Sequence, residues 1–208
     1  ALWKRVDDPS VIVASVAAGS LTYLFYRKAI EFPDLFEQLK SKPWYVRRGT
    51  GFGLHRLATI HPENINAKSA KERESIRRQI LTRALDWIPE MPELYRDLSL
   101  SLRRAGEVDQ ALRVLGRGLR KHPDEIDLLF ERGQAYFSKK DWSRALEDFQ
   151  RVTEVDRKRV DAWFYAGESE RNRNRYASAI AHYDKVYFLR PNHAAALTRQ
   201  AEILRLLK

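Results

Sequence analysis

A period of 34 residues runs through the carboxy-terminal half of this chain, and it constrains the fold more than any other feature. Blocks beginning at Pro92, Ile126 and Val160 align without a gap. Their fourth positions hold Tyr95, Leu129 and Trp163, and their eighth positions hold Ser99, Gly133 and Gly167. Ala111, Ala145 and Ala179 share the twentieth position, and Leu115, Phe149 and Tyr183 the twenty-fourth. Gly118, Val152 and Val186 occupy the twenty-seventh; Pro123 and Pro191 fill the thirty-second, where Arg157 is the one departure. Small residues at the eighth and twentieth positions let two antiparallel helices touch, while the large ones fill the space between them. A proline then ends the second helix before the next block begins. Self-similarity of this kind specifies stacked helix pairs, each buried by its neighbours.

These positions resemble the tetratricopeptide repeat family over residues 92–191. The resemblance implies an all-α, right-handed helical solenoid whose concave face grips peptides or proteins. Ile76–Pro89 resembles the second helix of an earlier, degenerate block: Ala84 and Pro89 match, but Arg77 stands where a small residue belongs. Residues 194–207 resemble the first helix of a fourth block, with Leu197 in the fourth position. An end without a polar cap leaves the apolar run from Ile203 to Leu207 open, so this helix either caps by itself or is covered by a partner. The expected order is a membrane helix with its flanks (1–30), an irregular, partner-packing linker (31–75) and the solenoid (76–208). Within the last lie helix 76–89, repeats 92–125, 126–159 and 160–193, and terminal helix 194–207.

The membrane expectation rests on residues 9–26, PSVIVASVAAGSLTYLFY, eighteen residues without a charge. A helix of that length spans roughly 27 Å, close to a bilayer hydrocarbon core. Asp7 and Asp8 precede it and Arg27 and Lys28 follow, with Trp3, Tyr23 and Tyr26 where interfacial aromatics belong. A signal peptide would have a shorter apolar region and a small-residue cleavage site after it, and none follows Tyr26. A buried soluble helix would be apolar on one stripe rather than all round. Ala14 with Ala18, and Ser15 with Gly19, form small-residue ridges against which another membrane helix could pack. The basic residues Lys40, Lys42, Arg47 and Arg48 favour the carboxy-terminal bulk lying on the positive side.

Residues 31–66 are punctuated by Pro33, Pro43, Gly49, Gly51, Gly53 and Pro62, which predicts irregular structure with one short helix over 34–41. The segment is too rich in Phe, Leu and Trp for a flexible spacer, and needs a surface to lie on. Gly49-Thr50-Gly51-Phe52-Gly53 lacks a preceding strand and any Lys-Ser/Thr, so it reads as a loop and not a nucleotide cradle.

The resemblance places binding chemistry on the inner, first-helix face, near the second, fifth, ninth and twelfth positions. The candidates there are Arg96, Leu100 and Arg103; Phe130, Gln134 and Phe137; and Phe164, Glu168 and Arg171, accompanied by Glu93, Asp127 and Asp161. Phe130, Phe137 and Phe164 are expected as exposed aromatics suited to an apolar or helical ligand. The alternative is that some of them pack between blocks. One variant of the family clamps a chaperone's terminal carboxylate using Asn at the ninth position; Leu100 and Gln134 stand there, so that clamp is not expected.

Basic residues recur where the two helices of each block turn: Arg103 and Arg104, Lys139 and Lys140, and Arg171, Arg173 and Arg175. Stacking would align them as a ridge facing anionic lipid or an acidic protein, or simply solvated. The formal net charge of +10 suits acidic partners. Nucleic acid is disfavoured because the aromatics are not interleaved with that ridge. Zero cysteine removes thiolate metal sites and cysteine nucleophiles, and the five histidines are scattered without metal-ligand spacing. No catalytic site and no cofactor are expected.

Two functions stand in different classes. The first is a non-catalytic scaffold, an accessory or assembly subunit anchored by one span among other protein subunits of a membrane complex. The second is a membrane-tethered receptor or adaptor for transient cargo, similar to import receptors. The greasy linker, the small-residue ridge and the uncapped last helix favour the first. An organellar energy-converting membrane, mitochondrial inner or thylakoid, is preferred as location, with a bacterial inner membrane as the alternative.

Overall fold

Eight helices follow one another through the continuous part of the described residues, with turns of a few residues between them. The computed structural model describes residues 69–207 and, before them, Arg47, Gly51, Leu54, His55 and Ala58. The helices are α1 (Ala70–Trp87), α2 (Pro92–Arg104), α3 (Val108–Lys121), α4 (Ile126–Ser138), α5 (Trp142–Val155), α6 (Val160–Asn172), α7 (Tyr176–Leu189) and α8 (Ala194–Leu206). Two compact units divide at 101/102, within α2. No helix among the described residues is long and apolar enough to cross a membrane. Residues 9–26, with Ala14, Ser15, Ala18 and Gly19, lie outside the described residues.

In the first unit, the helix expected over 76–89 starts earlier, at Ala70. Its start is set by Ser69, whose hydroxyl accepts the Glu72 N–H at 3.1 Å. Ile80, Leu81, Ala84 and Leu85 form its buried face. Arg77, unexpected at a small-residue position, is held by Glu74 at 3.6 Å. The expected irregular linker is corrected where it is described before Ser69: Arg47, Gly51, Leu54, His55 and Ala58 are each helical, and Gly51, Leu54 and Ala58 are buried. Glycine usually marks a loop, and the sequence alone places Gly51 in one. Here it permits close approach instead, since a Cβ at that position would run into the Ile88 side chain.

The second unit is a helix-turn-helix stack. Successive helices pack from α3 through α8, and α4 also touches α6, the first helices of neighbouring blocks. The 34-residue offset survives in the coordinates: α4 and α6 start at 126 and 160, and α5 and α7 at 142 and 176. A Cβ on Gly133 would lie 2.7 Å from Phe149 Cε1, and one on Gly167 2.7 Å from Tyr183 Cε1. The missing side chain at the eighth position is therefore filled by the ring at the twenty-fourth, and both rings are fully buried.

A second period lies in the turns. Gly106, Lys140 and Asn174, one period apart, are the described residues with left-handed backbone, at φ of 81°, 61° and 59°. Around each, two N–H groups turn back onto the helix just finished. The N–H groups of Glu107, Asp141 and Arg175 reach the carbonyls of Leu102, Tyr136 and Glu170 at 2.9–3.0 Å. This is the Schellman ending of a helix, which satisfies its last carbonyls. Second helices end alike even where proline is missing. Asp156 N–H bonds the Val152 carbonyl at 2.8 Å, and Asp156 Oδ1 accepts the Lys158 N–H at 3.0 Å. Trp163 then donates its indole N–H to the Arg157 carbonyl at 2.9 Å, as Tyr95 donates its hydroxyl to Pro89 in the first unit.

Two outcomes follow for stability, read by denaturant unfolding. Gly133→Ala lowers stability by about 2 kcal/mol by overpacking, and Phe149→Leu added to it recovers part of that loss. An unchanged midpoint in Gly133→Ala would contradict the close contact. Lys140→Gly raises stability by about 1 kcal/mol, because a lysine in left-handed backbone is strained and glycine is not.

Candidate functional site

Stacking brings residues about one period apart into contact on the first-helix side of the second unit. Arg103, near the end of α2, donates to Gln134 Oε1 at 2.6 Å and pairs with Glu131 at 3.2 Å, both on α4. Asp127 of α4 meets Arg159, just before α6, at 2.5 Å. On α6, Glu168 accepts from Arg171 Nε and Nη2 at 3.2 and 3.0 Å, and it pairs with Arg199 of α8 at 3.5 Å. Arg199 in turn holds Glu202 at 2.9 Å. The result is a row of cations, carboxylates and one amide joining each first helix to the next.

The aromatic candidates occupy a different place. Phe130 is only 7% exposed, which corrects the expectation of an exposed groove anchor. Its ring lies 5.6 Å from Phe149 and 6.0 Å from Tyr165, and the Arg159 guanidinium sits 4.6 Å over it. Phe137 is half-buried, edge-on to Trp142 at 4.8 Å and Tyr165 at 5.5 Å. Phe164 is half-buried among Tyr165, Tyr183 and His193. The shared partner is Tyr165, stacked on Phe149 at 5.4 Å. It stands at the sixth position of its block and fills the seam between α4 and α6, so these rings hold blocks together before they can hold a ligand.

In the first unit, Arg96 donates to Asp97 at 3.2 Å, and Asp97 bonds His55 Nε2 at 2.7 Å. Burial pushes the Asp97 carboxyl up, but His55 and Arg96 together outweigh it and hold it below the ordinary value. Leu100 is half-buried. The turn cations divide into two kinds. Lys139 is paired with Asp109 at 2.5 Å, and Arg173 with the buried Glu170 at 3.1 Å. Arg104, Lys140 and Arg175 are exposed and make no ion pair among the described residues.

Each buried acid is paired. Asp148 pairs with Arg132 at 2.6 Å; burial raises its carboxyl, and the guanidinium only partly offsets this. Burial also drives the Tyr183 phenol well above its ordinary value, and the Glu168 oxygen that accepts its proton at 2.5 Å adds to that. The Arg171 guanidinium is raised by its bond to Glu168. His182 lies 5.7 Å from Trp163, and burial lowers its pKa from the ordinary 6.5. No His, Cys, Asp or Glu group among the described residues is arranged to hold a metal ion.

Glu131, Tyr165, Arg159 and Arg199 were not among the sequence candidates. A sequence signal exists for two of them, Arg159 and Arg199: opposite charges spaced close to one repeat apart, a spacing that the cation and amide Arg103 and Gln134 share. Arg103 with Gln134, Asp127 with Arg159, and Glu168 with Arg199 are 31, 32 and 31 residues apart.

Comparison with known proteins agrees with this architecture. The tetratricopeptide repeat family model matches residues 96–154, 133–194 and 166–208, together more than half of the chain. No curated protein sequence matches it. Among solved structures, YrrB, a TPR protein with an unusual peptide-binding site, is similar at TM-score 0.67 and 22% identity over 97% of this chain and 98% of that one. The first TPR of Spaghetti (RPAP3) bound to an HSP90 peptide matches at TM-score 0.55 and 21% identity, over 57% of this chain and 94% of that one. MamA from Desulfovibrio magneticus matches at 0.64 and 13%, over 74% and 82%. At these identities the likeness is one of fold.

The buried imidazole gives a pH dependence with a definite sign. Above pH 6.5 His182 is neutral folded or unfolded; below it, the unfolded chain takes up a proton that the folded chain resists. Stability therefore falls as pH drops through and below 6.5. Thermal unfolding from pH 8 to 5 checks this: His182→Gln should flatten part of the fall, and an identical slope in wild type and variant would contradict it.

Proposed function

This chain belongs to the tetratricopeptide repeat family, and on that premise we propose that it works as a non-catalytic protein-interaction scaffold, held at a membrane through residues 9–26. The observation that carries the interaction reading is the row Arg103–Glu131–Gln134, Asp127–Arg159 and Glu168–Arg171–Arg199. Its side chains are already positioned by one another, so a ligand segment meets donors and acceptors without first ordering them. Both signs of charge alternate along the row, which suits a mixed-charge or neutral peptide main chain better than a polyanion. The packed Phe130, Phe137 and Phe164 stiffen that face instead of supplying pockets.

The membrane part of the proposal rests on sequence: eighteen uncharged residues ending at Tyr26, flanked by Arg27 and Lys28. We place the chain as an accessory or assembly subunit, its span among other membrane helices and its repeats on an extramembrane partner, in an organellar energy-converting membrane. Extraction of tagged protein in mild detergent, native-gel sizing and mass spectrometry of what co-migrates test this. A stoichiometric, salt-resistant assembly is expected, weakened about tenfold by Arg103→Glu, which breaks the polar row without touching the span. Ala14→Arg with Ala18→Arg should release the chain from membranes. Wild-type protein recovered without detergent overturns the anchor, and wild-type protein bound only to substoichiometric, salt-released clients replaces the subunit with a cargo receptor.

A further inference from the structure

The outward side of the second helices changes character from block to block. At positions twenty-two, twenty-six and twenty-nine the first block carries Arg113, Arg117 and Arg120, with Lys121 at the thirtieth. The same three positions hold Glu147, Arg151 and Glu154 in the second block, and Ala181, Lys185 and Phe188 in the third. Only α3 is therefore basic throughout. Its buried side is Ala111, Leu115, Gly118 and Leu119; at about 100° per residue, the four cations fall on one stripe of the opposite side. All four are exposed and make no ion pair among the described residues.

This arrangement works against the helix by itself. Arg113 with Arg117, and Arg117 with Lys121, stand four residues apart, where like charges repel. The helix carboxy terminus attracts Arg120 and Lys121 in the last turn, but it does not account for Arg113 and Arg117. The nearest acids are engaged elsewhere. Asp109, one turn before Arg113, is held by Lys139 at 2.5 Å and feels Arg113 only weakly. Asp124, just after the helix, is held by Arg151 at 3.2 Å. Gly116 adds a further cost, because glycine inside a helix is less stable than alanine. No packing requires it: within 4 Å, a Cβ there would meet only Arg120 Nη1, at 3.9 Å. The backbone of α3 is thus left open beside the arginines.

We propose that this stripe docks an acidic helix of a partner protein, with carboxylates at the 0, 4, 7 spacing of Arg113, Arg117 and Arg120. Laid along the stripe, each carboxylate meets a guanidinium, whose planar fork suits it, and Gly116 lets the two backbones approach. The second block argues against broader occupants. A flat anionic lipid surface, or a nucleic-acid duplex reaching two blocks, would meet Glu147 and Glu154 at the same positions one period on. Single-stranded nucleic acid stacks its bases on aromatic rings, and α3 has none. A second copy offers those two glutamates, but Arg151 stands between them and would face Arg117. The stripe belongs to a second helix and the polar row to the first-helix side, so the two readings fail separately.

The test titrates the full-length chain, in mild detergent, against fluorescent synthetic helices of the 14-residue length of α3. One carries Glu at the 0, 4, 7 positions on an alanine and glutamine background. A second has the same composition with Glu spread around the helix, and a third has Lys for Glu. By fluorescence anisotropy the first should bind about tenfold more tightly than the second, the third not at all, and added salt should weaken the binding. Arg113→Gln with Arg117→Gln should weaken it about tenfold while raising the thermal unfolding midpoint, because a repulsion is removed. Gly116→Leu should weaken it with every charge in place, since the backbones no longer approach. Binding lost in Arg103→Glu instead places the peptide on the polar row. Displacement by phosphatidylserine added to the detergent assigns the stripe to lipid, and dimerisation lost in the double variant assigns it to a second copy. Any of these three results, equal binding of the first two peptides, or no binding of the first overturns the proposal.

Discussion

Everything in the second unit depends on one contact, a ring packed into the space of an absent side chain. Gly133 against Phe149 and Gly167 against Tyr183 bring the two helices of a block close enough to exclude water along their length. With that distance fixed, the left-handed residue at Lys140 or Asn174 can close the turn in a few residues. The pair so formed has one face left to bury, and only another pair can bury it. Stacking is thus a consequence of the pair, and the first-helix face is a consequence of the stacking.

That face is held together from both sides. On its interior, Tyr165 fills the seam between α4 and α6 and gathers Phe130, Phe137 and Phe149 around it. On its exterior, the cross-block pairs of Arg103, Arg159 and Arg199 tie each first helix to the next. Partly exposed pairs of this kind contribute little stability singly, about 0–1 kcal/mol each. Their effect is positional: a cation fixed between two carboxylates or an amide keeps its remaining donors pointed in one direction.

The end of the stack follows from the same logic. Gly133 and Gly167 lie under the second helices of their own blocks, and α8 carries the matching Ala201 with no described helix over it. Leu197, Ala201 and Leu204 remain apolar because they belong to the repeat, although no described helix covers them. Apolar side chains exposed together along one helix face are suited to contact.

Periodicity alone determined much of this protein. The 34-residue spacing placed α4 to α8, the small-against-large pairing and the helix ends, because each is a local consequence of side-chain size at a fixed offset. It could not reveal which rings would be exposed, since Phe130 and Tyr165 are five and six positions into their blocks and meet only after two blocks stack. Nor could it foresee that Gly51 sits in a helix against Ile88, because a glycine that breaks a helix and one that admits a neighbour look the same in a sequence. Partners such as Arg103 and Gln134 lie on different helices, and their contact exists only once the core has set the helices side by side. Sequence fixes what each block wants to bury; the tertiary structure decides which of those residues finds a neighbour and which is left to face a partner.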